Sequence, residues 1–307
     1  MILAEGMRSD GMSEEEYSEY CADDWNASWS SGGRRMGRRG FDMKIEHDFH
    51  VHTNLSLCAQ QSATLDGYIR KAKEIGLKRI GFSDHFWDEK IEGANGFYRP
   101  QNYEHVASLL PEIGKLDEPE LKIYFGCETE YDPYHHGVAI TEEIAETFDF
   151  ILVPNSHTHM MMPKEYYTPY QKHADFMIQA YEEIIDSPVS RYITAMAHPF
   201  EAVCCPYDNS ILIDLISDDQ YKRLFERTAK KGIAFEINVA SMHSKTPEQI
   251  ENCSQIRMFR LAKESGCKFL FGSDAHDLQK HDTYSNADLI ADLLDLKESD
   301  LASIAVL

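Results

Sequence analysis

Histidines and carboxylates recur in this chain where short apolar runs come to an end. They stand in Asp48-Phe49-His50-Val51-His52, Ser83-Asp84-His85, Cys127-Glu128, Ser156-His157-Thr158-His159, Ala197-His198-Pro199, Glu236-Ile237-Asn238 and Gly272-Ser273-Asp274-Ala275-His276. Imidazole and carboxylate are the common protein ligands of zinc, iron and manganese. On a strand, residues two apart share a face, so His50 and His52 project together, and Asp48 on the same face is expected to orient an imidazole. A single histidine at a strand end is more often structural than a ligand. Recurrence at five or more strand ends points instead to a polynuclear metal site at one mouth of a parallel barrel.

The elements that must position these residues alternate regularly. Strands are predicted over 44–51, 78–84, 121–127, 149–155, 191–197, 233–239 and 267–273, each short and rich in Ile, Val and Phe, as in strands buried on both faces. Helices are predicted near 64–75, 102–115, 139–147, 164–186, 218–231, 247–265 and 284–295. Thr64 and the Thr246-Pro247-Glu248 sequence serve as helix starts. Such alternation requires a parallel sheet with helices outside it. An open doubly wound sheet gathers its site at one switch point, whereas here ligand types follow nearly every strand, which favours a closed barrel. No Gly-x-Gly-x-x-Gly follows the first strand, so a dinucleotide role has no support. Residues 1–42, rich in Glu, Ser, Gly and Arg and without histidine, read as a disordered or non-native extension, with Met43 as an alternative start. Residues 43–307 then form a single barrel domain.

Composition narrows the partners. The chain has 307 residues, 52 acidic against 30 basic side chains and a formal net charge of -22. Phosphate tracking needs clustered Lys and Arg, so neither nucleic acid nor an anionic membrane is an expected partner. Bound cations would invert the local sign, so a small phosphorylated substrate is still compatible. Seven cysteines, with Cys204-Cys205 adjacent, show no disulfide framework and suit a reducing cytoplasm. No apolar run approaches the ~20 residues of a membrane span, and no secretory signal is visible.

The ordered motifs Asp48-x-His50-x-His52-Thr53, Ser83-Asp84-His85, Gly126-x-Glu128, Ser156-His157, Ala197-His198-Pro199 and Gly272-Ser273-Asp274-x-His276 resemble those of the PHP (polymerase and histidinol phosphatase) superfamily. The resemblance spans about residues 43–300 and lies nearest the histidinol-phosphatase-like branch. It implies a distorted seven-stranded (β/α)7 TIM-like barrel holding two or three divalent metal ions (Zn, Fe or Mn). Carried over by position, it implies that His50, His52, Glu128 and Asp274 hold a first ion. Glu128 then bridges to a second ion held by His157 and His198, and His85 and His276 hold a third. Family members often supply His or Asp to the third ion from the loop after the first strand. This chain has Ser56-Leu57-Cys58 there. We take Cys58 as the ligand, the alternative being a buried thiol beside a weak, water-completed or empty site; a thiolate suits zinc.

Two ions bridged by Glu128 would hydrolyse a phosphomonoester by metal-activated hydroxide, and no nucleophile-elbow motif competes. Glu128, Asp274 and His157 are the expected catalytic residues. Arg99, His159, Asn238, His243 and Lys245 are the candidates for substrate binding, while Arg70, Arg79 and Arg191 fall at the far end of the barrel and read as solvated charge. Strand six continues Glu236-Ile237-Asn238-Val239-Ala240-Ser241-Met242-His243, unlike the Thr, Ser, Gly and basic residue typical of histidinol phosphatases. That departure loosens the specific substrate, not the phosphatase class. A phosphodiesterase, nuclease or tyrosine phosphatase on the same site, or a noncatalytic metal-binding domain, are the alternatives. The Met160-Met161-Met162 run is read as packing.

Overall fold

The computed structural model describes residues 43–202, 208–242, 245–279, 284 and 286–306. The extension expected over residues 1–42 lies outside the described residues. Seven strands form the frame: β1 (His47–Val51), β2 (Arg79–Phe82), β3 (Lys122–Thr129), β4 (Phe150–Pro154), β5 (Ala195–Ala197), β6 (Ala234–Asn238) and β7 (Phe269–Gly272). Each pairs in parallel with the next in chain order. Between β7 and β1, Val51 bridges Ala275, and the His52 N–H donates to the Ala275 carbonyl at 3.0 Å. The result is a nearly closed barrel of seven parallel strands, as the ligand types at the strand ends favoured and the family resemblance implied.

Its interior is filled by rings. Phe49 on β1 meets Phe150 on β4 edge-on, with centroids 5.2 Å apart. These strands are not neighbours, so the contact runs across the barrel. Gly126 on β3 makes room for it, since a Cβ there would sit 2.3 Å from the Phe150 ring. Such packing makes the barrel a solid core rather than a pore.

Two strands differ from expectation. β3 runs on to Thr129, so Glu128 lies within the strand, because His85–Phe86 pairs alongside Glu128 and Thr129 and prolongs the sheet. β5 is only three residues long, because Pro188 opens a 3-10 turn over Pro188–Tyr192 where strand was expected.

The helices outside follow their caps. Leu65–Ile75 starts where the Thr64 side chain accepts from Gly67 N and stops at Gly76, which takes a left-handed φ of 84°. Pro247–Glu251 starts at the expected Thr246, which forms a reciprocal cap with Gln249. Three long predicted helices are broken. Pro111 separates Tyr103–Ala107 from Leu110–Ile113, Pro169 starts Tyr170–Asp186 afresh after the turn Lys164–Tyr166, and Asn252-Cys253 divides Pro247–Glu251 from Ser254–Glu264. Short helices at Thr158–Met161 and Ser210–Leu215 were not expected. Met160 and Met161 pack with Trp87, Phe97, Tyr98 and Ala139 in a small second core, so the Met run is packing as read.

At the far end of the barrel, Arg79 corrects the reading as solvated charge: it begins β2 and is 4% exposed. Beside it His47 is buried, and its Nε2 accepts from the Phe271 N–H at 3.1 Å, which requires a neutral ring. Burial, with Arg79 adding to it against the pull of Asp48, pushes the His47 pKa down to about 3. In the unfolded chain His47 takes a proton near 6.5, so between these values the unfolded state binds more protons. Stability from this group is therefore complete above about pH 6.5 and falls as pH drops, by up to ~1.4 kcal/mol per unit. Denaturant melts between pH 6.5 and 4.5 are expected to show a shallower acid slope in His47→Gln than in the parent protein. Equal slopes would remove His47 as the cause.

Candidate metal centre

Every barrel strand delivers a side chain to the same mouth. His50 and His52 come from β1 and its end, His85 from the extension after β2, and Glu128 from β3. His157 follows β4, His198 follows β5, Asn238 ends β6, and Asp274 with His276 follows β7. His50, His52, Glu128, His198 and Asp274 are all buried, as is most of His85.

Glu128 is the hub. Its Oε2 lies 3.1 Å from His85 Nδ1 and 3.5 Å from the Nε2 atoms of both His50 and His52. Its Oε1 lies 3.0 Å from His198 Nε2 and 3.7 Å from His157 Nε2. The two oxygens of one carboxylate thus face two different sets of imidazoles. Asp274 Oδ1 closes the first set, 3.5 Å from His50 Nε2 and 3.4 Å from His52 Nε2. Three groups of donor atoms fall within the span of a single ion: His50–His52–Asp274, His50–Glu128–His198 and His52–His85–His276.

The outward-facing ring nitrogens are fixed from behind. His50 Nδ1 meets Glu236 Oε1 at 2.7 Å, His157 Nδ1 meets Glu130 Oε1 at 2.6 Å, His198 Nδ1 meets Ser156 Oγ at 2.6 Å, and His52 Nδ1 meets Ser56 Oγ at 3.1 Å. Each contact settles which nitrogen turns inward. Glu236 also accepts the His198 backbone N–H through Oε2, so one carboxylate braces two candidate ligands. His198 and Asp274 both adopt left-handed backbone, φ 25° and 50°. For non-glycine residues that conformation is costly and persists where surrounding bonds hold it. Around His198, Glu236 and Ser156 supply those bonds. Asp48, expected to orient an imidazole, spends Oδ1 on the backbone N–H groups of His50 and Ser273, tying β1 to the end of β7.

Charge is distributed as cation binding requires. Burial opposes ionisation of Glu128 and Asp274, yet His50 and the other imidazoles around them outweigh it and hold both carboxyls well below the usual range. His52 is driven well below its ordinary value by burial and then by His276 and His85. Burial likewise takes His157 down to about 3, against Glu128 and with His198. Against burial, Glu236 and Glu128 raise His50 well above its ordinary value, and Glu128 raises His85 and His198. This favours protons that a divalent ion would displace, since anionic carboxylates and neutral imidazoles are the forms that bind such ions. The clustered residues fit divalent ions, as the family resemblance implies.

The sequence profile of the PHP domain matches residues 48–240. The chain belongs to the PHP domain family. As a PHP protein it is 26% identical over 253 residues to a probable phosphatase of Clostridium novyi (strain NT), covering 82% of this chain and 86% of that one. A probable phosphatase of Shewanella loihica is 25% identical over 234 residues, covering 76% and 79%. Among solved structures, a histidinol phosphate phosphatase from Lactococcus lactis, complexed with zinc, L-histidinol and phosphate, superposes with a TM-score of 0.56. It has 17% identity, over 81% of this chain and 94% of that one. That likeness supports the PHP barrel.

The substrate candidates divide. Asn238 reaches the centre: its Nδ2 donates to Asp274 Oδ2 at 3.3 Å. The His159 ring stands 5.8 Å from that of His157. Arg99 is exposed and donates to the Ala94 carbonyl, and Lys245 donates to the Ser241 carbonyl, so their bonds stay within their own loops. His243 lies outside the described residues. Sequence reasoning missed Glu130, Glu236, Ser56 and Ser156 as orienting groups. A signal was present for the first two, since Glu130 follows Glu128, and Glu236 precedes Asn238, by the two-residue step that shares a strand face.

Proposed function

We propose that this PHP protein is a metal-dependent phosphatase that hydrolyses a small phosphomonoester, in the manner of the histidinol-phosphatase-like branch. The observation that carries the reading is Glu128, whose two oxygens address separate imidazole sets from the middle of a buried cluster. His50, His52, Glu128 and Asp274 would hold one ion, Glu128, His157 and His198 a second, and Cys58, His85 and His276 a third. When bound, such ions acidify water, orient a phosphoryl group and neutralise the leaving oxygen.

The chain's own groups do the rest. Asp274, kept ionised beside His50 and His52, would take a proton from attacking water. Glu130 holds the His157 ring in register, and Asn238 fixes Asp274 from the β6 side. Arg99, His159, Asn238, His243 and Lys245 are the candidates for gripping phosphate and leaving group. The names of the relatives, probable phosphatases and a histidinol phosphate phosphatase, support the substrate class.

The test is a substrate comparison on metal-depleted protein resupplied with zinc, manganese or iron(II). Histidinol phosphate and other small monoesters are expected to turn over at least about tenfold faster than a diester or a phosphotyrosyl peptide, a barrier difference of ~1.4 kcal/mol. Faster cleavage of the diester or the phosphopeptide would replace the substrate class, and no turnover with any metal would overturn the reading.

A further inference from the structure

We propose that Cys58 completes a sulfur-bearing metal position with His85 and His276, selective for a thiophilic ion such as zinc over manganese. The third ion would then differ in kind from the pair around Glu128. This deepens the phosphatase reading and rests on it.

Several independent contacts build the position. Cys58 hydrogen-bonds to His276. The His276 ring stacks on His52 with centroids 4.1 Å apart, His85 lies 4.4 Å from His52, and the ring nitrogens of all three converge. His85 is buried, and its Nδ1 faces Glu128 Oε2 at 3.1 Å without hydrogen-bond alignment. A buried imidazole nitrogen aimed into a cluster without a hydrogen bond is best satisfied by an ion.

The loop carrying Cys58 is held at both ends. Ser56 Oγ donates to Asp84, accepts from the His85 N–H at 3.1 Å and touches His52 Nδ1. Leu57 N donates to Gln101 at 3.0 Å, and Gln60 N donates to the His276 carbonyl at 2.9 Å. The same few residues thus clamp His52, His85 and His276 and hold the loop of Cys58 against His276.

Ligand chemistry then decides the metal. Glu128 and Asp274 give the pair a mixed oxygen and nitrogen set that hard and borderline ions share. Cys58, His85 and His276 are one sulfur and two nitrogens, a set that favours zinc or cobalt and disfavours manganese.

The full chain, freed of metal and titrated with cobalt(II), is expected to develop a near-ultraviolet sulfur-to-cobalt charge-transfer band. Cys58→Ser should lose the band and weaken the third equivalent by at least about 100-fold, beyond the 10–100-fold typical of outer partners. Cys58→Asp should bind a third ion without the band and accept manganese there. In the unmutated protein, peptide mapping after iodoacetamide treatment should find Cys58 shielded by zinc and not by manganese. Cobalt bound with no sulfur band, or Cys58 alkylated equally with and without zinc, would overturn the inference. If two ions and monoester hydrolysis persisted in that case, the phosphatase reading would stand. A protein that bound no ion would overturn both.

Discussion

Glu128→Gln is expected to lower phosphomonoester hydrolysis by about 10³-fold or more, equivalent to ~4 kcal/mol in the barrier. The size of the effect follows from position. Glu128 is 1% exposed and, among the described residues, is the carboxylate whose two oxygens face His50, His52 and His85 on one side and His157 and His198 on the other. An amide keeps the shape but presents one neutral oxygen and an N–H donor, which repels a cation on the side it faces. Both inner ions should therefore bind more weakly, visible as metal lost on gel filtration while circular dichroism is unchanged. Glu128→Asp keeps the charge on a shorter arm and should recover part of the metal and part of the rate. A glutamine variant with parental metal content and rate would remove Glu128 as the hub.

Gly272→Ala is expected to damage fold and centre together. A Cβ at Gly272 would lie 2.0 Å from Glu236 Oε1 and 2.4 Å from His50 Cβ. Glu236 cannot yield freely, because its other oxygen holds the His198 N–H and the displaced one holds His50 Nδ1. Overpacking of this kind costs about 3 kcal/mol or more, a fall in melting temperature of roughly 5–10 °C. The variant that does fold should also bind metal more weakly, since moving Glu236 releases two candidate ligands at once. Thermal melts and chelator competition on the same sample check both effects. An alanine variant with unchanged melting and unchanged affinity would show that the β6–β7 contact is looser than its geometry.

Much of this was legible before any fold was known. The two-residue step in Asp48-x-His50-x-His52 and the return of His or carboxylate after each apolar run announced strands that end at a common mouth. The run of seven strand–helix units then required a parallel sheet, and the ligand types after nearly every strand favoured its closure into a barrel. What escaped were features that depend on distant neighbours. Three helices read as continuous are broken, two of them at Pro111 and Pro169, where a missing N–H outweighs the amphipathic pattern around it. Arg79 read as solvated because nothing local shows that the base of the barrel will bury it beside His47.

The division has a physical reason. Strand period and ligand type are local properties, so His50, His52, Glu128, His198 and Asp274 could be named from the chain alone as residues that metal chemistry would use. Which nitrogen of each ring turns inward, and which oxygen of Glu128 faces which imidazole, is settled only when strands far apart in sequence close into a ring. Only then does Glu236 reach His50 across 186 residues and does Gln60 tie the Cys58 loop to His276.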